Sequence, residues 1–276
     1  MLNDIYQHLN PVAFYVGSVP IRWYGLAYVA AFVIGAGLML SIAKRWRIRF
    51  GIDELLSYLL CIIGGVIIGG RLGYVVFYGS AYYFNGHILE IFMPQDGGMS
   101  FHGGLIGALV ATLVASRIIK MPFGSLMDLC AIVAPVGLCL GRIANFINGE
   151  LWGSVCDCPW GVVFHGLAGE MPRHPTQLYE AILEGLVLFA ILFALSYKKP
   201  PLPQLNYSSI FLIWYALVRF GIEFVRQPDV QLGYLWGGWL TMGQLLSSPL
   251  LLAGLVLLWY ANRVGYPQEG CREAHK

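Results

Sequence analysis

Seven apolar runs of about twenty residues dominate the sequence: roughly 20–42, 55–78, 100–118, 125–148, 177–197, 208–225 and 239–262. At about 1.5 Å rise per residue, such a run crosses a hydrocarbon core of about 30 Å as an α-helix. Helix is the required conformation, because an open sheet edge cannot be satisfied in lipid and the runs lack the alternation of barrel strands. Hydrophobic residues make up 58% of the chain and charged ones 12%, which is more apolar surface than one soluble core could hide. The expected fold is an all-α integral membrane protein with seven transmembrane helices. With no low-complexity tract, clear repeat or linker between soluble domains, residues 1–276 read as a single membrane-embedded domain.

Positive charge sets the expected orientation. The first connection carries Lys44, Arg45, Arg47 and Arg49, the third Arg117 and Lys120, the fifth Lys198 and Lys199, and the tail Arg263, Arg272 and Lys276. These segments should be cytoplasmic, so seven spans put the N-terminus outside and the C-terminus inside. The first run is too long for a cleavable signal peptide, and its positive flank follows it. A net charge of +2 is too small to argue for nucleic acid, and none is expected as a partner.

Six arginines remain, Arg22, Arg71, Arg142, Arg173, Arg219 and Arg226, all placed by this topology in the outer half of a span or just outside it. Arg71, Arg142 and Arg219 lie roughly 10 Å below the outer ends of their spans. Each costs about 2.5 to 3.5 kcal/mol on insertion scales unless paired or wetted. Tyr24, His102, Glu180 and Glu184 occupy the outer ends of three further spans. A shared polar site near the outer face is the expectation; separate snorkelling and helix-pair salt bridges are the alternative.

The segment GRIANFINGELWG (141–153) concentrates this signal. Arg142 and Asn145 are three apart and share a helix face. A guanidinium fork matches phosphate oxygens, and an amide donates and accepts around an ester, so the pair suits a lipid headgroup. An interhelical clasp, with Arg142 neutralised by Glu150 or Glu180, fits the spacing equally. Arg219, Glu223 and Arg226 put cation, anion and cation on one helix face, which reads first as a salt-bridged stripe. His102 stands in GGMSFHGGLIG (97–107), where Gly103 and Gly104 let a lipid or peptide come close. Its imidazole is either a hydrogen-bonded structural group or the proton acceptor of the cluster. No serine lies in a nucleophile elbow.

The remaining features read as structural. The glycines of GGVIIGGRLG (64–73) suit close helix packing, and Ser125 with Asp128 resembles a capping box. Cys61, Cys130 and Cys139 are expected in the core, and Cys271 in a reducing tail. Cys156 and Cys158, in SVCDCPW, are expected free or modified under stress, because a ring with one intervening residue is tight. As metal ligands they lack a convincing second pair, so no metal site is expected.

From end to end the chain resembles the prolipoprotein diacylglyceryl transferases. The resemblance is carried by IRWYGL (21–26), GGRLGYVVFY (69–78), DGGMSFHGGLIG (96–107), GRIANFINGELWG (141–153), RHPTQLYE (173–180) and VRFGIEFVRQPD (218–229). It implies seven spans with a periplasmic N-terminus in the bacterial cytoplasmic membrane. It also implies transfer of the diacylglyceryl group of phosphatidylglycerol to the thiol of the lipobox cysteine of a prolipoprotein signal peptide, with release of glycerol phosphate. Carried over by motif, Arg142, Asn145 and Arg226 would hold the phosphate and Glu150 and Gly153 would complete the signature. Tyr24 and His102 would line the reacting centre beside Gly103 and Gly104; Arg71, Asn148, Arg219 and Glu223 are secondary candidates. No metal or other cofactor is called for, since arginine can relieve phosphate charge. The outer loop 154–172, with its two cysteines, departs from the family pattern and is expected to shape access for the peptide. A lipid transporter would also bury arginines, but near the midplane and between repeated halves, neither of which is evident.

Overall fold

The computed structural model describes residues 1–78, 82, 83, 85, 90, 91, 99–227, 235 and 237–268; the side chains of Phe77, Tyr78, Phe101, His102 and Leu167 lie outside that description. So do Cys271, Arg272 and Lys276 of the tail, Pro228 and Asp229 of the last motif, and most of the connection 79–99.

A short helix α1 (Leu2–Gln7) is followed by an antiparallel hairpin, β1 (Val12–Val16) with β2 (Val19–Arg22), and then by helices α2 (Trp23–Arg45), α3 (Ile52–Tyr78), α4 (Phe101–Ile118) and α5 (Phe123–Asn148). The helix α6 spans Thr176–Leu195, with a π-helical stretch at Ala181–Val187. Then come α7 (Asn206–Ile222) and α8 (Met242–Val264). Helix therefore occupies each of the seven apolar segments. Five of these helices, α2, α3, α5, α6 and α8, are long and apolar enough to cross a membrane. Their outward positions are apolar: Phe32, Leu60, Leu252 and Val256 are all more than half exposed, as lipid contact requires and water would penalise.

Three local expectations are corrected. A short hairpin precedes the long helices: a tight turn at Gly17 (φ +62°) reverses the chain before α2, which starts at Trp23 rather than at residue 20. Ser125 and Asp128 do not cap α5, because that helix already begins at Phe123. Asp128 instead accepts from the Leu205 and Ser208 backbone N–H groups at 2.7 and 2.9 Å, capping α7 from a distance, and Gln268 donates to it at 2.9 Å. The caps made locally are Ser100 on α4 and a full Thr241–Gln244 capping box on α8. Finally, α7 ends at Ile222, so Arg226 lies beyond the helix rather than on its face.

The chain forms two compact units, Met1–Arg45 with Asp128–Gln268, and Trp46–Met127. In the second, α3 and α4 cross with glycines of one facing the backbone of the other. A methyl on Gly65 would lie 2.5 Å from the Gly107 carbonyl oxygen, and methyls on Gly69 and Gly73 would lie 2.7 Å from the Cα atoms of Gly107 and Gly103. The expected glycine packing is thus made by small residues at every fourth position on both helices. Gly103 is used here; beside Gly104 the nearest group is Val66 at 3.7 Å.

The first unit has a satellite core at the C-terminal end of α5, where Tyr6, Phe146, Val162, Phe164 and Ala168 are buried together. Tyr6 stacks edge-on against Phe146 and Phe164 at 5.3 and 4.9 Å, while Asn3 and Gln7 bond the two backbone groups of Val163. This core fixes the loop after α5 to the N-terminal helix. Gly107→Leu should cost about 2 kcal/mol or more by overpacking the α3–α4 crossing, whereas Val110→Leu, on the exposed face of α4, should be near neutral. Thermal unfolding in one detergent checks the difference.

Candidate functional site

Glu180 is completely buried and has three guanidinium groups around it. Arg142 Nε on α5 approaches at 3.1 Å, Arg219 Nη1 on α7 at 2.5 Å, and Arg226 Nη1 from the turn after α7 at 3.3 Å. Glu184, also fully buried, faces Arg142 Nη2 at 3.5 Å. Glu223 pairs with Arg219 and lies 4.0 Å from Arg226. It also accepts the Thr241 hydroxyl at 2.6 Å, where its charge meets the positive end of α8. The three arginines and three glutamates have a formal sum of 3 − 3 = 0. That balance makes the depth affordable, since an isolated charge there would carry a desolvation penalty of several kcal/mol.

Local geometry explains how the helices bring these groups together. Gly185 abuts α5 so closely that a methyl on it would lie 2.5 Å from Cys139 Cβ. Glu184 precedes that contact, and Arg142 lies three residues beyond Cys139, so the approach presents one to the other. The π-helical stretch begins at Ala181, directly after Glu180; such widened turns are often retained where side chains must be re-aimed at a site.

The strand-like path after α5 is built mostly from backbone. The chain turns at Gly149 (φ +70°) and Leu151 (φ +59°). Thr176 Oγ1 donates to the Leu151 carbonyl at 2.9 Å, and Gln177 Nε2 donates to the Glu150 carbonyl. Gly153 N–H donates to the His174 carbonyl at 2.9 Å, and Gly153 forms an antiparallel bridge with Arg226. A methyl on Gly153 would lie 2.6 Å from both His174 Cβ and the Val225 carbonyl oxygen, so only glycine fits. Arg173 ties the same strap down, donating to the carbonyls of Ala168 and Gly153 at 2.8 and 3.2 Å.

Of the residues singled out from sequence, Arg142, Arg219, Glu223 and Arg226 meet in one cluster. Of the two partners expected for Arg142, Glu180 is the one it pairs with; Glu150 is exposed and accepts from Asn148 Nδ2 at 2.7 Å instead. Asn145 is buried on the Arg142 side of α5, and its carbonyl accepts the Glu150 N–H at 3.0 Å. The Tyr24 and Tyr28 hydroxyls are 3.1 Å apart on α2. In the other unit, Arg71 is buried, donates to the carbonyls of Ile91 (2.9 Å) and Glu90, and faces the Tyr83 ring. His102 is the second residue of α4.

Thr176, Gln177 and Thr241 were missed from sequence. Their signal was present, as neutral polar residues at the head of apolar runs, but neutral amides and hydroxyls attract less notice there than arginine. Cys156 and Cys158 are bonded to each other rather than free, because the loop turn brings their Cα atoms to 5.3 Å, within ordinary disulfide reach.

A model of the prolipoprotein diacylglyceryl transferase family matches residues 11–260. The chain belongs to that family. It is 46% identical over 258 residues to a phosphatidylglycerol–prolipoprotein diacylglyceryl transferase of Geobacter sulfurreducens, covering 94% of this chain and 97% of that one. Proteins of the same name from Methylocella silvestris and Coxiella burnetii are 49% and 45% identical, over 270 and 258 residues, with 94% of this chain covered in each case and 96% and 97% of theirs. As a member of the diacylglyceryl transferase family, the protein is an enzyme, a transferase with apolar helices suited to a membrane. The arginine–glutamate cluster and the Gly153 strap both fall within the matched residues.

Glu180→Ala should be the most damaging single change in the cluster, costing about 3 kcal/mol because it removes the one carboxylate that all three arginines share and leaves each with one other glutamate of the cluster. Glu184→Ala, which removes one partner of one arginine, should cost less. Thermal unfolding of the two variants in detergent should rank them in that order.

Proposed function

We propose that this transferase moves the diacylglyceryl group of phosphatidylglycerol onto the thiol of the lipobox cysteine of a prolipoprotein. The observation that carries the reading is the convergence of Arg142, Arg219 and Arg226 on one buried carboxylate, within a chain whose relatives are named for those two substrates. The cysteine thiolate attacks the glycerol carbon esterified to phosphate. The S–C bond forms, the C–O bond breaks, and glycerol phosphate departs with the electron pair, leaving a thioether. Such a step needs a thiolate, an aligned carbon and relief of charge on the departing phosphate.

Arg142, Asn145 and Arg226 are assigned to the phosphate, with Glu150 and Gly153 shaping the strap beside them. Each guanidinium has five N–H donors, more than its ion pairs here require, so holding Glu180 does not exhaust its capacity for phosphate oxygens. His102 is assigned the thiol proton, with Tyr24 at the reacting centre and Gly103 and Gly104 giving the substrates room. Arg71, Asn148, Arg219 and Glu223 support these groups. Phosphate charge is relieved by arginine, so the reaction requires no metal or other cofactor.

The chain acts as one membrane-embedded domain with seven spans in the bacterial cytoplasmic membrane, N-terminus periplasmic and C-terminus cytoplasmic. Lysine and arginine placement supports that orientation. A Ser18→Cys variant should react with a membrane-impermeant maleimide in intact cells, and Lys198→Cys only after permeabilisation; the reverse pattern would invert the topology.

The reaction is tested in detergent with labelled phosphatidylglycerol and a lipobox peptide carrying cysteine or serine. Label should pass to the cysteine peptide alone. Arg142→Ala, checked for folding, should lose about a hundredfold or more in rate, on the order of 3 kcal/mol of transition-state stabilisation. No transfer by well-folded wild type would overturn the assignment.

A further inference from the structure

The outer loop contains a second constellation that the transfer reaction does not use. Cys156, Cys158 and His174 bring two sulfurs and an imidazole nitrogen within 4.8 Å of one another. From sequence, Cys-x-Cys offered two ligands and no companion. The third, His174, comes sixteen residues after Cys158, where the returning segment of the loop pairs with the outgoing one through the Val155–Arg173 bridge. Cys156 N–H donates to the Pro172 carbonyl at 3.0 Å and His174 N–H to the Ser154 carbonyl at 3.0 Å, so the ladder holds the ligands in register before any ion arrives.

The geometry points to a soft-metal site in the reduced protein: we propose that Cys156 and Cys158 as thiolates, with His174, bind one thiophilic d10 ion of the Zn²⁺ type. A tetrahedral ion with S and N ligands at about 2.3 and 2.1 Å holds them about 3.6 Å apart. Cys158 Sγ and His174 Nδ1 already stand 3.8 Å apart. His174 Nδ1 also lies 3.2 Å from the Tyr179 hydroxyl, which is held by Trp160 Nε1 at 2.6 Å. That chain holds the ring in place in the oxidised protein; on metal binding Nδ1 exchanges the Tyr179 hydroxyl for the ion, and the tyrosine is left beside the ligands. With three protein ligands, the fourth position is open to water or an exchangeable ligand.

In the structure the two sulfurs are bonded to each other, so the site is closed by oxidation. A dithiol reductant opens it: the S–S bond takes two electrons and two protons while the reductant becomes a disulfide. Metal binding then displaces the two thiol protons. Occupancy is thereby coupled to redox state, in a loop whose ladder leads directly to Gly153 and its bridge to Arg226.

The test uses the full chain in detergent, reduced with a phosphine, freed of reductant under nitrogen, and titrated with Co²⁺ as a spectroscopic stand-in and then with Zn²⁺. Reduced wild type should take up one equivalent of Co²⁺ with a thiolate-to-cobalt absorption that Zn²⁺ abolishes, and the oxidised protein should give none. Cys158→Ser and His174→Gln should each weaken binding about tenfold or more, and Cys139→Ser should leave it unchanged. Each variant is first matched to wild type in thermal unfolding; if His174→Gln fails that check, Cys156→Ser and Cys158→Ser decide. No stoichiometric thiolate absorption in reduced wild type, equal binding by oxidised protein, or binding insensitive to the two serine substitutions would overturn the proposal.

Discussion

Glu180 is the interaction on which the first unit depends. A carboxylate removed wholly from solvent needs cations at contact distance, and Glu180 draws them from α5, from α7 and from the turn beyond it. The dependence is mutual, because each arginine would otherwise be a charge in or near lipid. The close approach of Gly185 to Cys139 sets α5 against α6 at the height where Arg142 meets Glu180 and Glu184. The capping box of α8 docks that helix onto Glu223. Apolar packing alone would leave the rotation and height of these helices loosely set, since lipid tails are as apolar as leucine. Directional contacts to one carboxylate fix both.

The second unit joins its helices by close backbone approach instead. Its α3–α4 crossing consists of backbone against backbone, with glycines at every fourth position removing whatever would hold the helices apart. Arg71 belongs here, and it spends its donors on main-chain carbonyls and a tyrosine face rather than on a carboxylate. Three arginines placed at one depth by hydropathy therefore divide into two kinds: Arg142 and Arg219 make a charged core, and Arg71 fastens a connection.

That division marks how far the sequence could be read. The apolar runs are legible because helix is the one way an isolated segment satisfies its backbone in lipid, and each of them holds a helix, five of which are long and apolar enough to cross a membrane. The GGVIIGGRLG crossing is legible because repeated glycines have few other uses in a membrane helix. Partner choice is less so: Arg142 had two spacing-compatible glutamates, and only the tertiary approach at Gly185 selects Glu180 over Glu150. The end of α7 before Arg226 was hidden because VRFGIEFVRQ continues the helical pattern of charges and aromatics past the last helical residue. Thr176 and Gln177 act on main-chain carbonyls of a turn that no local pattern announces. His174 as a companion to the cysteines depends wholly on strand pairing within an irregular loop.

The zero formal charge of the cluster bears on how it would handle phosphate. A net positive pocket attracts any anion, and holds its product as readily as its substrate. A balanced one offers little long-range pull, so recognition rests on N–H donors already aimed and desolvated, which the ion pairs to Glu180 provide before a headgroup arrives. In the proposed reaction that arrangement favours the state in which charge accumulates on the leaving oxygen over the resting phosphodiester. It also leaves glycerol phosphate without a surplus of cations to detain it. On that proposal the glutamates would belong to the phosphate chemistry: by fixing three arginines in place they would keep the cost of ordering out of the chemical step.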